Sequence, residues 1–202
     1  MRVGGVPRTF VLPLLLLPGC LYVGAGGGFD PADARTEPGW VLIDVPVIRQ
    51  GGADGCGAAC AQMVARHWLG EEAGHRVRAG VPVHPGRGSR ADDLLAGLRS
   101  VGLEAFLQAG TMEQIGTHLA KGRPMIAGLI QAYRGGVRRT HYVVVAGADP
   151  ARGILAVVDP ARGWRCYPYA GFRAEWEPSG GVLVVAAPVP AAPAPDGTEG
   201  GG

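Results

Sequence analysis

The pattern of apolar residues differs between the two halves of the chain. Residues 58–69 contain no Gly or Pro and are followed by Gly70, a typical signal for the end of a helix. Further helices are predicted from residue pairs spaced like capping boxes, namely Ser89 with Asp92 and Thr111 with Gln114. The first half is therefore predicted to be helical.

The second half contains short apolar runs bounded by Gly and Pro, which is typical of strands. These runs cover residues 125–130, 141–146, 154–159 and 181–187. Helices followed by antiparallel strands, without regular alternation of the two, indicate an α+β fold.

The N-terminus reads as a secretion signal. Arg2 and Arg8 precede a short apolar run at 10–17, which is shorter than the roughly 20 residues that cross a bilayer. The run ends in Leu17-Pro18-Gly19-Cys20, which resembles a bacterial lipobox. We therefore predict a signal peptide at 1–19 and lipidation of Cys20. The alternative is an ordinary signal peptide cut after Ala25, with Cys20 discarded.

Composition then divides the remaining chain. Residues 20–39 are rich in Gly and Asp and are predicted to be a flexible tether, and residues 40–188 form the predicted domain. The Pro- and Gly-rich residues 189–202 are predicted to be a disordered tail. Resemblance to Gram-negative lipoproteins, with Leu21 after the cysteine, implies an outer-membrane anchor and a domain that faces the periplasm.

Charge and motifs exclude several classes of function. A net charge of +2 argues against a nucleic-acid-binding protein. The cysteines lack paired zinc spacing, no histidine pair has helical spacing, and no phosphate-cradling loop occurs. We therefore expect no metal, no cofactor and no ATP site.

Cys56 is the first candidate for chemistry. It lies between Gly55 and Gly57, where the first helix should begin, and the positive end of a helix favours a reactive thiolate. The alternative is a buried structural cysteine. Gln50 lies shortly before it and could donate its side-chain amide to an oxyanion hole, or could be an ordinary polar loop residue.

His141 and Asp159 are the second candidate pair. The strands at 141–146 and 154–159 are predicted to form a hairpin in which the two residues lie directly opposite each other, with Cβ atoms about 5 Å apart. The carboxylate would then fix the tautomer of the imidazole. Asp149 lies at the hairpin tip, over about 20 Å from His141 along the strand, which is too far.

Cys56, His141 and Asp159 therefore form a possible nucleophile, base and orienting residue. If Cys20 is lipidated, an oxidising compartment also predicts a disulfide between Cys60 and Cys166. The alternative is that Cys60 is a small core residue and that Cys166 is unpaired.

The chain resembles the bacteriocin-processing, double-glycine leader peptidases, which are papain-like cysteine peptidases. The residues that carry the resemblance are, in order, Val45-Pro46, Gln50, Asp54 to Ala59, Met63, Gly122-Arg123-Pro124, His141 to Val145, Asp159-Pro160, Phe172 and Trp176. The resemblance implies a nucleophile at Cys56, a base at His141, an orienting Asp159, an oxyanion donor at Gln50 and a peptide or protein substrate. It also implies a central helix, beginning at the nucleophile, packed on an antiparallel sheet.

The sequence departs from this family in two respects. Many members have Asp directly before the nucleophile, whereas this chain has Gly55 there. Well-known members are fused to a transporter and ATPase, and this chain resembles the stand-alone, secreted branch. We therefore expect an envelope lipoprotein cysteine peptidase that uses an acyl-enzyme intermediate. A cell-wall amidase or acyltransferase and a non-catalytic peptide-binding lipoprotein are the alternatives.

Overall fold

The computed structural model describes residues 22–190, which fold into helices around one antiparallel sheet. The helices are α1 (Pro31–Thr36), α2 (Cys56–Leu69), α3 (Glu71–Gly80), α4 (Ala91–Ser100), α5 (Met112–Ala120) and α6 (Tyr169–Trp176). The strands are β1 (Gly27–Gly28), β2 (Val41–Leu42), β3 (Leu103–Ala109), β4 (Met125–Tyr133), β5 (Val137–Asp149), β6 (Ile154–Asp159), β7 (Gly163–Pro168) and β8 (Val182–Pro188). The predicted α+β class, with a papain-like arrangement, is confirmed.

The sheet has the strand order β1-β7-β6-β5-β4-β8-β3, and β2 pairs separately with β5. Its centre is apolar throughout, because residues Val143 to Ala146 of β5 are fully buried. Helix α2 packs against β4, β5 and β8, whereas α6 packs against β4, β6 and β7. Strands covered in this way need no alternation of polar residues, which explains the continuous apolar runs of the sequence.

Helix α2 is the central helix, and it forms because its sequence is rich in Ala and free of Pro. Residues Ala58 to Ala65 are buried, and Gly70, with φ of +86°, ends the helix in a conformation that favours glycine. At its other end, a Cβ on Gly57 would lie 3.0 Å from the Cβ of Ser89. The first turn of α2 therefore packs closely against the segment that precedes α4.

The second predicted capping box is present, whereas the first is not. Thr111 Oγ1 accepts from the Gln114 N–H at 3.2 Å, and Gln114 Oε1 accepts from the Thr111 N–H at 2.9 Å. Ser89 instead donates to the carbonyl of Pro82 at 2.6 Å. Helix α4 begins two residues later, and Asp93 accepts from the N–H of Arg90. The box predicted at Ser89 and Asp92 is therefore wrong.

Several elements were not predicted, and β3 shows why. Its sequence, Leu103–Ala109, consists largely of residues that favour helices. It nevertheless forms a strand because it pairs along its whole length with β8, from Leu103 with Pro188 to Ala109 with Val182. Tertiary pairing outweighs local propensity at the edge of the sheet.

The segment expected to be a flexible tether packs on the domain where it is described. Within residues 22–39, β1 pairs with β7 and α1 has an N-cap at Asp30. Tyr22 forms a bridge with Tyr133 of β4. Residues 1–21, with the predicted signal peptide and Cys20, and residues 191–202 lie outside the described part. Among the described residues, no helix has the length and apolar character needed to cross a membrane.

The predicted disulfide is absent. Cys56, Cys60 and Cys166 are all free thiols. Cys60 is fully buried in the core on α2, and the Cys166 thiol contacts the carbonyl of Gly28 in β1. The alternative holds, in which Cys60 is a core residue and Cys166 is unpaired.

Candidate active site

Cys56 is the first residue of α2, and its side chain is only 7% exposed. The loop before it is tight, because a Cβ on Gly55 would lie 2.6 Å from the carbonyl oxygen of Gly51. A side chain at position 55 would therefore force this loop to move. The close turn gives a physical reason for glycine at position 55.

His141 and Asp159 come together through the β5–β6 hairpin, but in a different register from the expected one. Val144 pairs with Val158, so Asp159 falls opposite Val143 rather than opposite His141. The direct pairing predicted from the sequence is wrong by two residues. The two side chains instead meet diagonally, and His141 Nε2 lies 2.9 Å from Asp159 Oδ1.

A β-bulge makes this contact possible. Near the hairpin tip Asp149 pairs with Ile154, and between Val145 and Gly147 the register shifts by one residue. The extra residue returns His141 to the face of the sheet that carries Asp159, because side chains alternate between faces. Without the bulge the two side chains would point to opposite faces.

Cys56 and His141 also interact directly. The imidazole lies close enough to the Cys56 thiol to lower its pKa. Because His141 Nε2 faces Asp159, the other ring nitrogen, Nδ1, is left for the thiol. The structure therefore brings Cys56, His141 and Asp159 together, with a hydrogen bond between His141 and Asp159.

The electrostatics of this site favour a thiolate on Cys56 beside an imidazolium on His141. Burial opposes ionisation of Cys56, but His141 and the backbone N–H groups of Tyr142 and Gly57 outweigh it and lower the pKa of the thiol. Burial likewise opposes the charge on His141, but its hydrogen bond to Asp159 and the neighbouring Cys56 thiol raise its pKa to about 9. The N–H groups at 57 and 142 escaped the sequence analysis because backbone donors leave no sequence signal.

Asp159 is held at both oxygens. It is completely buried, and burial raises a carboxyl pKa, but His141 and then Arg162 reverse this effect and bring the pKa to about 2. Oδ1 also accepts from the N–H of Ala161 at 2.7 Å, and Oδ2 lies 2.7 Å from Arg162 Nη1. Arg162 was missed, although it belongs to a repeated Asp-Pro-Ala-Arg-Gly segment that the sequence displays.

Gln50 lies near the Asp159 end of the site. Its backbone N–H donates to the carbonyl of Pro160 at 3.1 Å. Its side-chain Nε2 donates to the carbonyls of Gly52 and Ala53, at 2.8 and 3.4 Å, and its buried Oε1 has no hydrogen-bond partner among residues 22–190. The expected oxyanion donation by Gln50 stays a prediction, and it requires the amide to leave these two carbonyls.

Two adjoining cavities open on the site. One, of about 850 Å³, is lined by Cys56, Tyr142 and the arginines Arg87, Arg138 and Arg139, among others. The second, of about 310 Å³, is lined by His141 and by apolar residues that include Leu129 and Val182. Tyr142, Ile130 and Thr140 line both cavities and form the divide between them.

Comparisons with solved structures agree with this fold. A double glycine motif protease from an AMS/PCAT transporter, crystallised with its leader peptide, is 27% identical with a TM-score of 0.55, over 73% of this chain and 94% of that one. The peptidase domain of Streptococcus ComA, a bifunctional ABC transporter involved in quorum sensing, is 22% identical with a TM-score of 0.57, over 70% and 97% of the two chains. A putative C39-like peptidase from Bacillus anthracis is 15% identical with a TM-score of 0.55, over 73% and 98%.

The family comparison covers most of the domain. No curated protein matches the chain. The model of the peptidase C39 family matches residues 44–189, which include the nucleophile candidate, the histidine and both buried hairpin carboxylates. The chain therefore belongs to the peptidase C39 family and is a cysteine peptidase.

Proposed function

We propose that this protein hydrolyses peptide bonds through a Cys56–His141–Asp159 triad and an acyl-enzyme intermediate. The observation that carries the proposal is the hydrogen bond between His141 and Asp159, with Cys56 beside the imidazole at the edge of an open cavity. The lowered pKa of Cys56 and the raised pKa of His141 favour the ion pair that a thiol peptidase needs before substrate binds.

The proposed chemistry proceeds in two halves. The Cys56 thiolate attacks the scissile carbonyl carbon, and the resulting oxyanion collapses as His141 gives its proton to the leaving amine. A thioester then joins Cys56 to the acyl part of the substrate. His141 next takes a proton from water as the hydroxide attacks the thioester. Breakage of the carbon–sulfur bond then releases the carboxylic acid and restores the Cys56 thiolate beside protonated His141.

The oxyanion needs donors beside the nucleophile. The N–H of Cys56 is available because the first N–H groups of a helix have no acceptor within the helix. Gln50 would supply the second donor after it leaves the carbonyls of Gly52 and Ala53. Loss of one such donor costs about 3 kcal/mol of transition-state stabilisation, so Gln50→Ala should retain a small measurable rate.

The substrate is a peptide or protein segment in this proposal. The AMS/PCAT protease that resembles this chain was crystallised with a leader peptide, which supports a peptide in the corresponding cleft. The larger cavity, of about 850 Å³, has room for several residues of an extended chain.

The cell-envelope location is part of the same proposal. Leu17-Pro18-Gly19-Cys20 supports cleavage before Cys20 and lipidation there. Tyr22 packs on the domain only two residues later, so a lipid on Cys20 would hold the domain directly at the membrane surface. Cys20→Ser should release the protein from membranes, and an unmodified N-terminus downstream of Val23 in mass spectra would contradict lipidation.

Variants at the two cysteines of α2 test the catalytic proposal. The full chain is incubated with a library of internally quenched peptides and, in parallel, with purified cell wall. Cys56→Ala should abolish peptide cleavage and His141→Ala should nearly do so. Cys60→Ala is the matched control, because Cys60 lies one turn later on the same helix, buried in the core.

Each alternative function has its own outcome in this experiment. Release of amide-linked fragments from cell wall alone, dependent on Cys56, would favour an amidase or acyltransferase. Binding of peptides without cleavage, and without labelling of Cys56 by an electrophilic peptide, would favour the non-catalytic lipoprotein. Equal loss of cleavage in the Cys60→Ala control would point to misfolding rather than to chemistry.

A further inference from the structure

Arg162 links the triad to a part of the chain outside the peptidase core. Its Nη1 lies 2.7 Å from Asp159 Oδ2 and 3.2 Å from Gln131 Oε1, and its Nη2 donates to Tyr133 Oη at 3.1 Å. Only about a fifth of the side chain is exposed. A guanidinium with three acceptors in fixed positions cannot rotate freely, so it fixes the plane of the Asp159 carboxylate.

The aromatic ring of Tyr22 packs against the guanidinium of Arg162. The carbon at the centre of the Arg162 guanidinium lies 4.1 Å from the centre of the Tyr22 ring, within the range of a cation–π contact. The Tyr22 ring also contacts Tyr133 edge to face, at 6.0 Å between ring centres. Arg162 is therefore held between its carboxylate partner on one side and aromatic rings on another.

Tyr22 is itself fixed by a buried acid. Its hydroxyl donates to Glu175 Oε1 and lies 3.0 Å from the Tyr167 hydroxyl. Glu175, on α6, is 6% exposed and also accepts from the N–H of Ala25 at 3.1 Å. Residues 22–28, which we call the N-terminal strap, are thus attached to the core at Glu175 and, through β1, at strand β7.

We infer that the N-terminal strap and Arg162 form a positioning relay, in which Tyr22 holds Arg162, Arg162 holds Asp159, and Asp159 sets the orientation of His141 toward Cys56. The inference rests on the proposed catalytic function. Tyr22 and Arg162 touch neither substrate nor the reacting atoms, so both are positioning residues. The strap lies before residue 44, where the family match begins, so the relay adds a contact from outside the matched domain.

The relay acts on the nucleophile through the position of His141. Fixing Asp159 keeps the imidazole turned toward Cys56, where it favours the thiolate. Loss of this orientation raises the pKa of Cys56. A misplacement of about 1 Å at a reacting group can cost about 100-fold in rate, which sets the scale of the expected effect on turnover.

The test measures the rate at which iodoacetamide alkylates Cys56 in the full-length protein, followed by mass spectrometry of the Cys56 peptide over a range of pH. This rate reports the thiolate directly and needs no substrate. In Arg162→Gln we expect the acid limb of the profile to move up by about one pH unit. Arg162→Lys keeps the positive charge but loses the planar guanidinium with its several N–H donors. Its pH profile should therefore lie between those of the parent protein and Arg162→Gln.

Arg152→Gln is the matched control. Arg152 occupies the same place in the other Asp-Pro-Ala-Arg-Gly segment and makes the same contact to an Asp three residues earlier. That Asp lies at the hairpin tip, over about 20 Å along the strand from His141. Its profile should coincide with that of the parent protein. Coincidence of the Arg162→Gln profile with the parent, or an equal shift in Arg152→Gln, would overturn the relay.

Two Tyr22 variants test the strap. Tyr22→Ala should shift the profile in the same direction as Arg162→Gln, and Tyr22→Phe, which keeps the ring but loses the Glu175 contact, should shift it less. A parent-like profile in Tyr22→Ala would end the relay at Arg162 and overturn the role of the strap. Failure of the proposed function is recognised separately, since the parent Cys56 would then alkylate like an ordinary thiol.

Discussion

The sequence Asp-Pro-Ala-Arg-Gly occurs twice, from Asp149 and from Asp159, and the two copies form similar turns with different surroundings. The first joins β5 to β6 and the second joins β6 to β7. In each, the buried Asp ends a strand and pairs with the Arg three residues later, at 3.1 Å in the first turn and 2.7 Å in the second. The same five residues therefore make the same local ion pair.

The differences lie entirely in what surrounds the two pairs. Arg152 is half exposed, and its other partner is the surface residue Glu37. Arg162 lies against Tyr22 and Tyr133, and its partner Asp159 also faces His141. The turn sequence determines the local geometry, whereas the neighbouring strands and the N-terminal strap determine whether that geometry can serve chemistry.

The largest expected difference concerns the two carboxylates. Asp159→Ala should lower peptide cleavage by about 100-fold or more, because His141 loses the partner that orients it. Asp149→Ala removes an equally buried carboxylate that contacts Arg152 but no histidine among the described residues. It should leave the rate per folded molecule within about threefold of the parent.

The measurement is the initial rate on one peptide from the library, divided by the fraction of folded protein. Both variants should lose stability, by about 1 to 3 kcal/mol, because each leaves former donors without an acceptor. Equal loss of rate in the two variants would remove the functional distinction between the turns.

The sequence was sufficient to predict that His141 and Asp159 meet, but not the strand register or the β-bulge through which they meet. The apolar runs correctly identified β5 and β6, and a hairpin was the natural way to join them. The bulge near Ala146 could not be predicted, because it depends on pairing with β2 and β6 on either side of β5. His141 and Asp159 still lie on the same face of the sheet, as predicted. The predicted register differs from the observed one by two residues at this point, and a shift of two residues leaves a side chain on the same face.

Other features were beyond the sequence for a simpler reason. Tyr22 lies in a Gly-rich segment that is typical of a tether, and only the contacts with Arg162 and Glu175 show that it belongs to the domain. Cys60 and Cys166 could not be placed relative to each other without the three-dimensional fold. Helix α2 and the capping box at Thr111 were predictable, because their determinants are local.

The second difference concerns pH. The pKa of His141 is raised to about 9, so its contact with Asp159 stabilises the fold fully below the unfolded value of about 6.5 and is lost as pH rises through about 9. The pKa of Asp159 is lowered to about 2, so its contribution is complete above the unfolded value near 3.8 and is lost as pH falls through about 2. Both contributions are complete between about pH 4 and 6.5.

Urea unfolding at pH 6 and pH 9.5 tests this expectation. In the Cys56→Ala background, where the thiolate no longer titrates, stability should fall by about 2 kcal/mol between the two values, less than the full shift implies because Cys56 also raises the pKa of His141. Adding His141→Gln should remove this fall. Adding Asp149→Asn instead should preserve the fall in stability, since the partner of Asp149 is Arg152, which stays charged between pH 6 and 9.5. Disappearance of the fall in the Asp149→Asn variant would contradict the proposed difference between the two turns.

The third difference concerns the arginines as contributors to stability. Arg162→Gln should lower the free energy of unfolding by about 1 to 3 kcal/mol, because Asp159 Oδ2 and the acceptors on Gln131 and Tyr133 lose a shared donor in a mostly buried place. Arg152→Gln should cost less than about 1 kcal/mol, since the Arg152 side chain is half exposed to solvent. Equal costs in denaturant unfolding would show that burial of the second turn adds nothing to its ion pair.

The smallest effect should be the same in both turns. Gly153 and Gly163 end the two segments with φ of +65° and +83°, in the left-handed region, where a side chain costs about 1 kcal/mol. A Cβ on Gly153 would have ordinary space, with Tyr169 at 3.9 Å, and one on Gly163 would meet only the flexible end of Arg49 at 3.3 Å. Gly153→Ala and Gly163→Ala should therefore cost the same within about 0.5 kcal/mol in urea unfolding, because the backbone requirement is local. A clearly larger cost at Gly163 would mean that the surroundings of the second turn constrain its backbone as well as its side chains.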